Sequence, residues 1–246
     1  MGDTDGRTAI VTGASRGIGA AVAERLARDG FAVVINYAGD AAPADALVRK
    51  IEEVSGRALA ARADVSDPEA VRHLFDAAEA AFGGIDVLVN NAGIMTLANV
   101  ADTEDAAFDR LVAVNLKGTF NTLREAAARL RQGGRIINFS SSVVGLLQPT
   151  YAVYAATKAG VEAMTSVLAK ELRGRNITVN AIASGPTATD LFLHGKPQEV
   201  IDHLAALAPL ERLGRPEDIA VAVAFLAGPD GAWINGQTLR ANGGII

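Results

Sequence analysis

The sequence contains no cysteine. That excludes a disulfide framework and any thiolate metal site. Histidine is scarce: His73, His194 and His203 stand far apart, without the spacing of a ligand set, so no metal is expected. No uninterrupted apolar run reaches the ~18 residues of a membrane-spanning helix. Positive charge is not in excess either: 23 Lys and Arg face 28 Asp and Glu, a net charge of −5. No basic stripe offers a nucleic-acid surface. The opening residues, MGDTDGRTAIVTGAS, lack the basic stretch and long apolar run of a secretory signal. These features lead us to expect a cytoplasmic protein acting on small molecules, with neither membrane nor nucleic acid as partner.

What is present is a repeated pattern over all 246 residues, half of them hydrophobic. Short apolar runs alternate with Ala-rich helical stretches. TAIVT (8–12) precedes a helix over 17–28, and FAVVIN (31–36) precedes one through DALVRKIEEV. ALAARADV (58–65) precedes a helix with Asp67 as N-cap and Pro68 in its first turn. IDVLVNNAG (85–93) leads into a long helix over about 104–131, and GRIINFSS (134–141) into another. ITVNAIAS (177–184) and GQTLRANGG supply a sixth and a seventh strand. Strands that are apolar throughout are covered on both faces, as in a parallel sheet. Strand–helix alternation therefore predicts one α/β domain, doubly wound, over 1–246. The least regular stretch, about 187–213, is flanked and broken by Pro186, Pro197, Pro209 and Pro216 and reads as a small helical substrate lid.

The turn after the first strand is TGASRGIG. Gly13, Gly17 and Gly19 stand where a chain turns tightly and approaches something closely. A helix opening there offers free N–H groups and the positive end of its dipole to a phosphate. A tight strand–helix turn without a ligand would look the same in isolation.

Four further patterns follow in order: NNAG at 90–93, Asn115 in VNLKG, the serines of FSSS, and Tyr154 four residues before Lys158. With the T-G-x-x-x-G-x-G turn, they make the chain resemble the short-chain dehydrogenase/reductase family from about residue 7 to its end. It looks most like the 3-oxoacyl-carrier-protein reductase type and related ketone reductases. The resemblance implies a Rossmann-type domain with a seven-stranded parallel sheet and a nicotinamide dinucleotide as cofactor.

By this resemblance Gly13, Ser15, Arg16, Gly17, Ile18 and Gly19 form the phosphate turn. Asn36 and Tyr37 face the adenosine ribose, and Asp64 and Val65 flank the adenine. Asn90, Ala92 and Gly93 line the groove, and Pro186, Thr187 and Thr189 contact carboxamide and phosphate. An acidic residue at the end of the second strand would favour NAD. Tyr37 occupies that place, and Arg16 matches the basic residue of NADP-using relatives, so NADP(H) is expected. Asp40 complicates this, since a loop carboxylate could fold back toward the ribose.

Reduction of a carbonyl builds negative charge on oxygen, which needs a proton and hydrogen-bond donors. Residues four apart share a helix face, and an adjacent cation favours a phenolate. Tyr154 and Lys158 therefore read as a tuned acid–base pair, with the small residues around them leaving room for cofactor and substrate. The family adds Asn115, whose backbone distorts a helix and holds a water next to the Lys. It also adds a substrate-binding Ser, which its usual spacing puts at Ser141; matching SVVG to relatives favours Ser142.

The expected activity is hydride transfer between NADPH and a small or medium ketone or aldehyde. One alternative is the 3-oxoacyl-carrier-protein reductase of fatty-acid synthesis, for which Arg129 and Arg131 are candidate docking residues. Another is a non-catalytic sensor of NADP(H). Relatives are commonly homotetramers, and the Ala-rich faces at 104–131 and 155–170 fit close packing between copies.

Overall fold

Strand β1 (Thr8–Val11) shows how the chain builds two cores at once. Side chains alternate across a strand. Ala9 and Val11 enter one buried cluster and Ile10 the other, and every residue of the strand is buried. A computed structural model describes residues 6–246; the polar start, residues 1–5, lies outside the described residues.

The other strands are β2 (Ala32–Tyr37), β3 (Arg57–Arg62), β4 (Ile85–Asn90), β5 (Leu130–Ser141), β6 (Thr178–Ser184) and β7 (Thr238–Ala241). They form one parallel sheet in the order β3-β2-β1-β4-β5-β6-β7. One face is covered by α1 (Gly17–Arg28), α2 (Ala42–Glu52) and α10 (Pro216–Ala227), through Val22, Leu26, Leu47, Ile51 and Val223. The other is covered by α3 (Pro68–Phe82), α5 (Gly118–Arg129) and α7 (Ala152–Glu171), through Leu74, Phe75, Leu123 and Leu168. The chain leaves β1 toward β2 and later returns beside β1 as β4. That reversal opens a crevice at the carboxyl ends of the central strands, where ligands of such sheets bind.

Local signals explain several boundaries. Asp67 caps α3 by accepting a hydrogen bond from Glu69 N at 2.9 Å. Gly83, in the left-handed region, ends the same helix. The long helix expected over about 104–131 is α4 (Asp105–Leu111), a π-helical turn (Val112–Lys117) and α5, ending at Arg129. Leu130 already belongs to β5, because the Arg175 guanidinium donates to the carbonyls of Ala127 and Leu130 at that end.

The expected lid is pinched at its base. Thr187 pairs with Gly214, and Gly214 N donates to the Pro186 carbonyl at 2.9 Å. Between them lie α8 (Asp190–Leu193) and α9 (Gln198–Ala206), neither of which buries a residue. The remaining short helix, α6 (Val143–Leu146), follows β5.

Phe75 is fully buried, with the Arg129 guanidinium 5.6 Å from its ring centroid. Phe75→Ala is expected to lower stability by about 3–5 kcal/mol, the usual cost of an aromatic cavity. Urea unfolding checks this, and a loss below about 1 kcal/mol would mean the site collapses to fill itself.

Candidate active site

The glycine turn leaves β1 at the crevice. Gly13 and Gly17 have φ of 60° and 57°, conformations that L side chains rarely adopt. A methyl on Gly13 would stand 2.9 Å from Ala92 Cα, and one on Gly19 would stand 2.5 Å from both Gly13 O and Asn91 Nδ2. The turn is therefore packed flat against the end of β4. Arg16, at the N-cap of α1, makes no side-chain cap, so the first turn of that helix presents its N–H groups outward.

Beyond the turn lies a cleft of about 420 Å³. Ser15, Arg16, Ile18, Asn36, Tyr37, Asp64, Val65, Ala92, Gly93 and Thr189 line it with Gly13 and Gly17, as the sequence led us to expect. The side chain of Asn36 is buried and works inward, accepting from Gly13 N at 3.2 Å and donating to the Ala63 carbonyl at 3.0 Å. Burial works against the Asp64 carboxylate, but hydrogen bonds from Ser66 and the Arg110 guanidinium outweigh it and hold its pKa below the usual range. Asp40 lines the cleft, but its Oδ1 accepts from Ala42 N at 3.0 Å, a local cap on α2.

Behind Gly93, α7 brings Tyr154 and Lys158 to the end of β5; Asn115, Ser141, Tyr154 and Lys158 border the cleft through Gly93 and are not among its lining residues. Ser141 stands beside the Tyr154 hydroxyl and favours its ionised form; its Oγ accepts from Val143 N at 3.4 Å. Lys158 is buried; its Nζ donates to the Phe139 carbonyl at 2.9 Å and lies 5.7 Å from the Tyr154 ring centroid. A methyl on Gly93 would stand 3.6 Å from that Nζ and 3.3 Å from Asn115 Oδ1. Asn115, fully buried, sits in the π-helical turn. Its side chain is locked to Ile94, accepting from the N–H and donating to the carbonyl, both at 2.9 Å. Its own carbonyl accepts from Thr119 Oγ1 at 2.8 Å.

The comparisons agree with this geometry. A family model described as enoyl-(acyl carrier protein) reductase matches residues 13–246. A short-chain type dehydrogenase/reductase of Picea abies is 47% identical, over 98% of this chain and 93% of its own length. An NADPH-dependent aldehyde reductase-like protein of Arabidopsis thaliana, described as chloroplastic, is 46% identical, over 98% and 94%. The solved structure of a short-chain dehydrogenase from Burkholderia cenocepacia in complex with NADP superposes with a TM-score of 0.93 at 39% identity, covering 98% of each chain. The chain belongs to the short-chain dehydrogenase/reductase family.

Within this member of the family, some expected residues sit elsewhere. The Asn90 side chain does not line the cleft. It is turned into the sheet, donating to Asn138 Oδ1 at 2.8 Å and accepting from Thr122 Oγ1 at 2.6 Å. Its neighbour Asn91 lines the cleft instead and donates to the carbonyls of Thr12 and Gly13, each at 2.9 Å. Pro186 and Thr187 also stand outside it: Thr187 is buried in the lid base, and Pro186 borders a separate cavity. Arg110 lines the cleft and was missed, since only the folding of α4 against Asp64 brings it there. Ser142 is separated from Ser141 by direction: it is buried, and its Oγ accepts from Asn242 Nδ2 at 3.0 Å.

Two expectations about the pair are corrected. The small residues of α7 do not all open space for a ligand: a methyl on Gly160 would stand 2.7 Å from Leu116 Cδ1, so this glycine admits the π-helical turn. Nor is the pKa of Tyr154 brought below its ordinary value. Burial pushes the phenol up to about 12, with Ser141 acting against that rise and Tyr151 adding to it. Burial likewise pulls the ammonium down to about 8. In a dry site neither charge is favoured.

The Lys158 shift has a consequence for stability. Its pKa is lower in the folded protein than the ordinary value of 10.5, so the unfolded chain binds more protons between about pH 8 and 10, and stability from this group rises with pH there. Lys158→Met should remove that rise. Urea unfolding of both proteins at steps from about pH 7 to 9.5 tests this, and identical pH dependence in the two would contradict it.

Proposed function

We propose that this protein is an NADP(H)-dependent carbonyl reductase acting on small or medium aldehydes and ketones, reversibly an alcohol dehydrogenase. The observation that carries the reading is the grouping of Ser141, Tyr154 and a buried Lys158 directly behind Gly93, which lines the cleft. The cleft fits a dinucleotide: Gly13 and Gly19 allow close backbone approach, α1 offers uncapped N–H groups to a pyrophosphate, and Arg16 stands exposed at the rim. No carboxylate replaces Tyr37, and Asp40 is engaged by α2, which suits a 2′-phosphate. A relative named as NADPH-dependent and one solved with NADP support the same cofactor.

When bound, the nicotinamide supplies the hydride. The chain supplies the rest. Ser141 donates to the carbonyl oxygen and holds it next to Tyr154 Oη. A phenol with a raised pKa remains protonated at neutral pH, the form an acid needs for reduction. As its proton moves to the substrate oxygen, the phenolate left behind is offset by the Lys158 ammonium, which the Phe139 carbonyl keeps in place. Asn115 holds the Ile94 backbone and so keeps Gly93 flat against Lys158.

The carrier-protein alternative loses its two candidate arginines. Arg129 is ion-paired with Asp76, Glu79 and Glu125, and Arg131 with Asp86. The reading extends to a homotetramer. Phe108, Phe120 and Val167 expose one apolar face on α4, α5 and α7. Val221, Phe225, Leu239 and the 99% exposed Trp233 form a second around α10 and β7. Two such faces suit two two-fold interfaces, and a monomer in sedimentation at micromolar concentration would end that part of the proposal.

Turnover is tested by NADPH absorbance with a panel of aldehydes, ketones, and β-ketoacyl and enoyl thioesters. Tyr154→Phe should lower kcat by about 10²–10⁴ while leaving NADPH affinity within about three-fold. Ser141→Ala should cost more than Ser142→Ala. Near-normal turnover by Tyr154→Phe contradicts the mechanism. Arg16→Ala should reduce kcat/KM with NADPH by about ten-fold and spare NADH, the loss expected for one charge-assisted contact. A wild-type preference for NADH contradicts the cofactor assignment.

A further inference from the structure

A second cavity, of about 430 Å³, opens beside the nucleotide cleft and shares Arg16, Asp190 and Leu191 with it. Its apolar wall is Met95, Leu97 and Leu191; its polar wall adds His194 and Lys196 from the lid. The loop after β4 links this cavity to the reacting groups. Gly93 lies against Lys158, and Met95 and Leu97 follow two and four residues later. Consecutive Cα atoms are 3.8 Å apart, so the Cα atoms of Met95 and Leu97 lie within about 8 Å and about 15 Å of that of Gly93.

Its polar wall offers more hydrogen-bond donors than acceptors. Lys196 Nζ donates to the Phe192 carbonyl at 2.5 Å and lies 4.6 Å from the Phe192 ring, which pins the ammonium on the cavity wall. Among the described residues, no side-chain hydrogen bond or ion pair engages Arg16 or His194. Arg16 stands at the junction of cleft and cavity, so its charge reaches both. With Arg16 assigned to the cofactor's phosphate, the Lys196 ammonium and the His194 imidazole share this wall with a single carboxylate, that of Asp190. A cavity with an apolar wall beside such donors matches one kind of ligand: an apolar chain that ends in an anion.

We propose that this cavity receives the tail of the carbonyl substrate, and that the tail ends in a carboxylate recognised by Lys196 and His194. This rests on the carbonyl-reductase reading above and narrows it to oxo acids of medium chain length. The apolar wall holds the methylenes while the carbonyl lies at Ser141 and Tyr154. Lys196 and His194 are specificity residues, remote from the bond that changes.

The test uses the full chain with NADPH and two substrates, a medium-chain ω-oxo carboxylic acid and its methyl ester. At low ionic strength kcat/KM should favour the acid by about ten-fold, mostly through KM, the worth of one charge-assisted hydrogen bond. High salt should shrink that ratio in the wild type, since exposed charges are screened. In the Lys196→Gln/His194→Gln variant the ratio should fall toward one, while Lys196→Arg should keep it. Equal use of acid and ester by the wild type, a ratio indifferent to salt, or a ratio unchanged in the double variant would overturn the inference. Brisk reduction of both substrates with no preference defeats this inference alone. Reduction of neither, with NADPH still bound, defeats the carbonyl-reductase reading and this inference with it.

Discussion

One ammonium group, taken out of water, organises the structure behind Gly93 of the cleft. Lys158 has a backbone carbonyl as its hydrogen-bond acceptor, and no carboxylate pairs with it among the described residues. A buried charge without a counter-ion is costly, and the protein meets that cost partly by letting the ammonium approach neutrality, with a pKa near 8. Its surroundings are cut to fit: Gly93 has no side chain to displace the Nζ, and Gly160 lets the π-helical turn close over the same helix. Such close packing holds where the surrounding structure determines it from several sides.

That surrounding structure is a buried polar chain through the middle of the sheet. Thr122 of α5 donates to Asn90 of β4, Asn90 to Asn138 of β5, and Asn138 to Thr165 of α7 at 2.8 Å. Every link is buried and paired. A satisfied network of this kind fixes register between its elements more sharply than apolar packing does. Here it ties the helix that continues the π-helical turn to the helix that carries Tyr154 and Lys158. The C-terminal segment braces the other side: Asn242 holds Ser142, and Ile246 fills the space left by Gly145, where a methyl would stand 2.5 Å from its Cδ1. Ser141 is thus supported from the residue after it without being engaged itself by that segment.

Strand β1, the glycine turn and Asp67 were legible because each carries a local signal: an apolar run, a φ requirement, a cap. Arg110 and Asn91 carried none. Their roles depend on which elements meet at the crevice, and no periodicity within α4 or β4 reveals that. Asn90 and Asn91 show the limit most clearly. Asn90, not Asn91, reads as the groove residue in NNAG, yet alternation at the end of β4 sends its side chain into the sheet and leaves Asn91 on the cleft. The same alternation separates Ser141 from Ser142.

By itself the sequence determined the doubly wound parallel sheet, the position of the phosphate turn and the pairing of Tyr154 with Lys158 on one helix face. These follow from hydrophobic period, glycine stereochemistry and helical repeat, which act over a few residues. Tertiary structure alone decided the protonation balance of that pair, the direction of each serine and asparagine at the strand ends, and the cavity between the loop after β4 and residues 190–196. Those depend on desolvation and on which distant segments come together, quantities that no stretch of chain carries until the whole has folded around it.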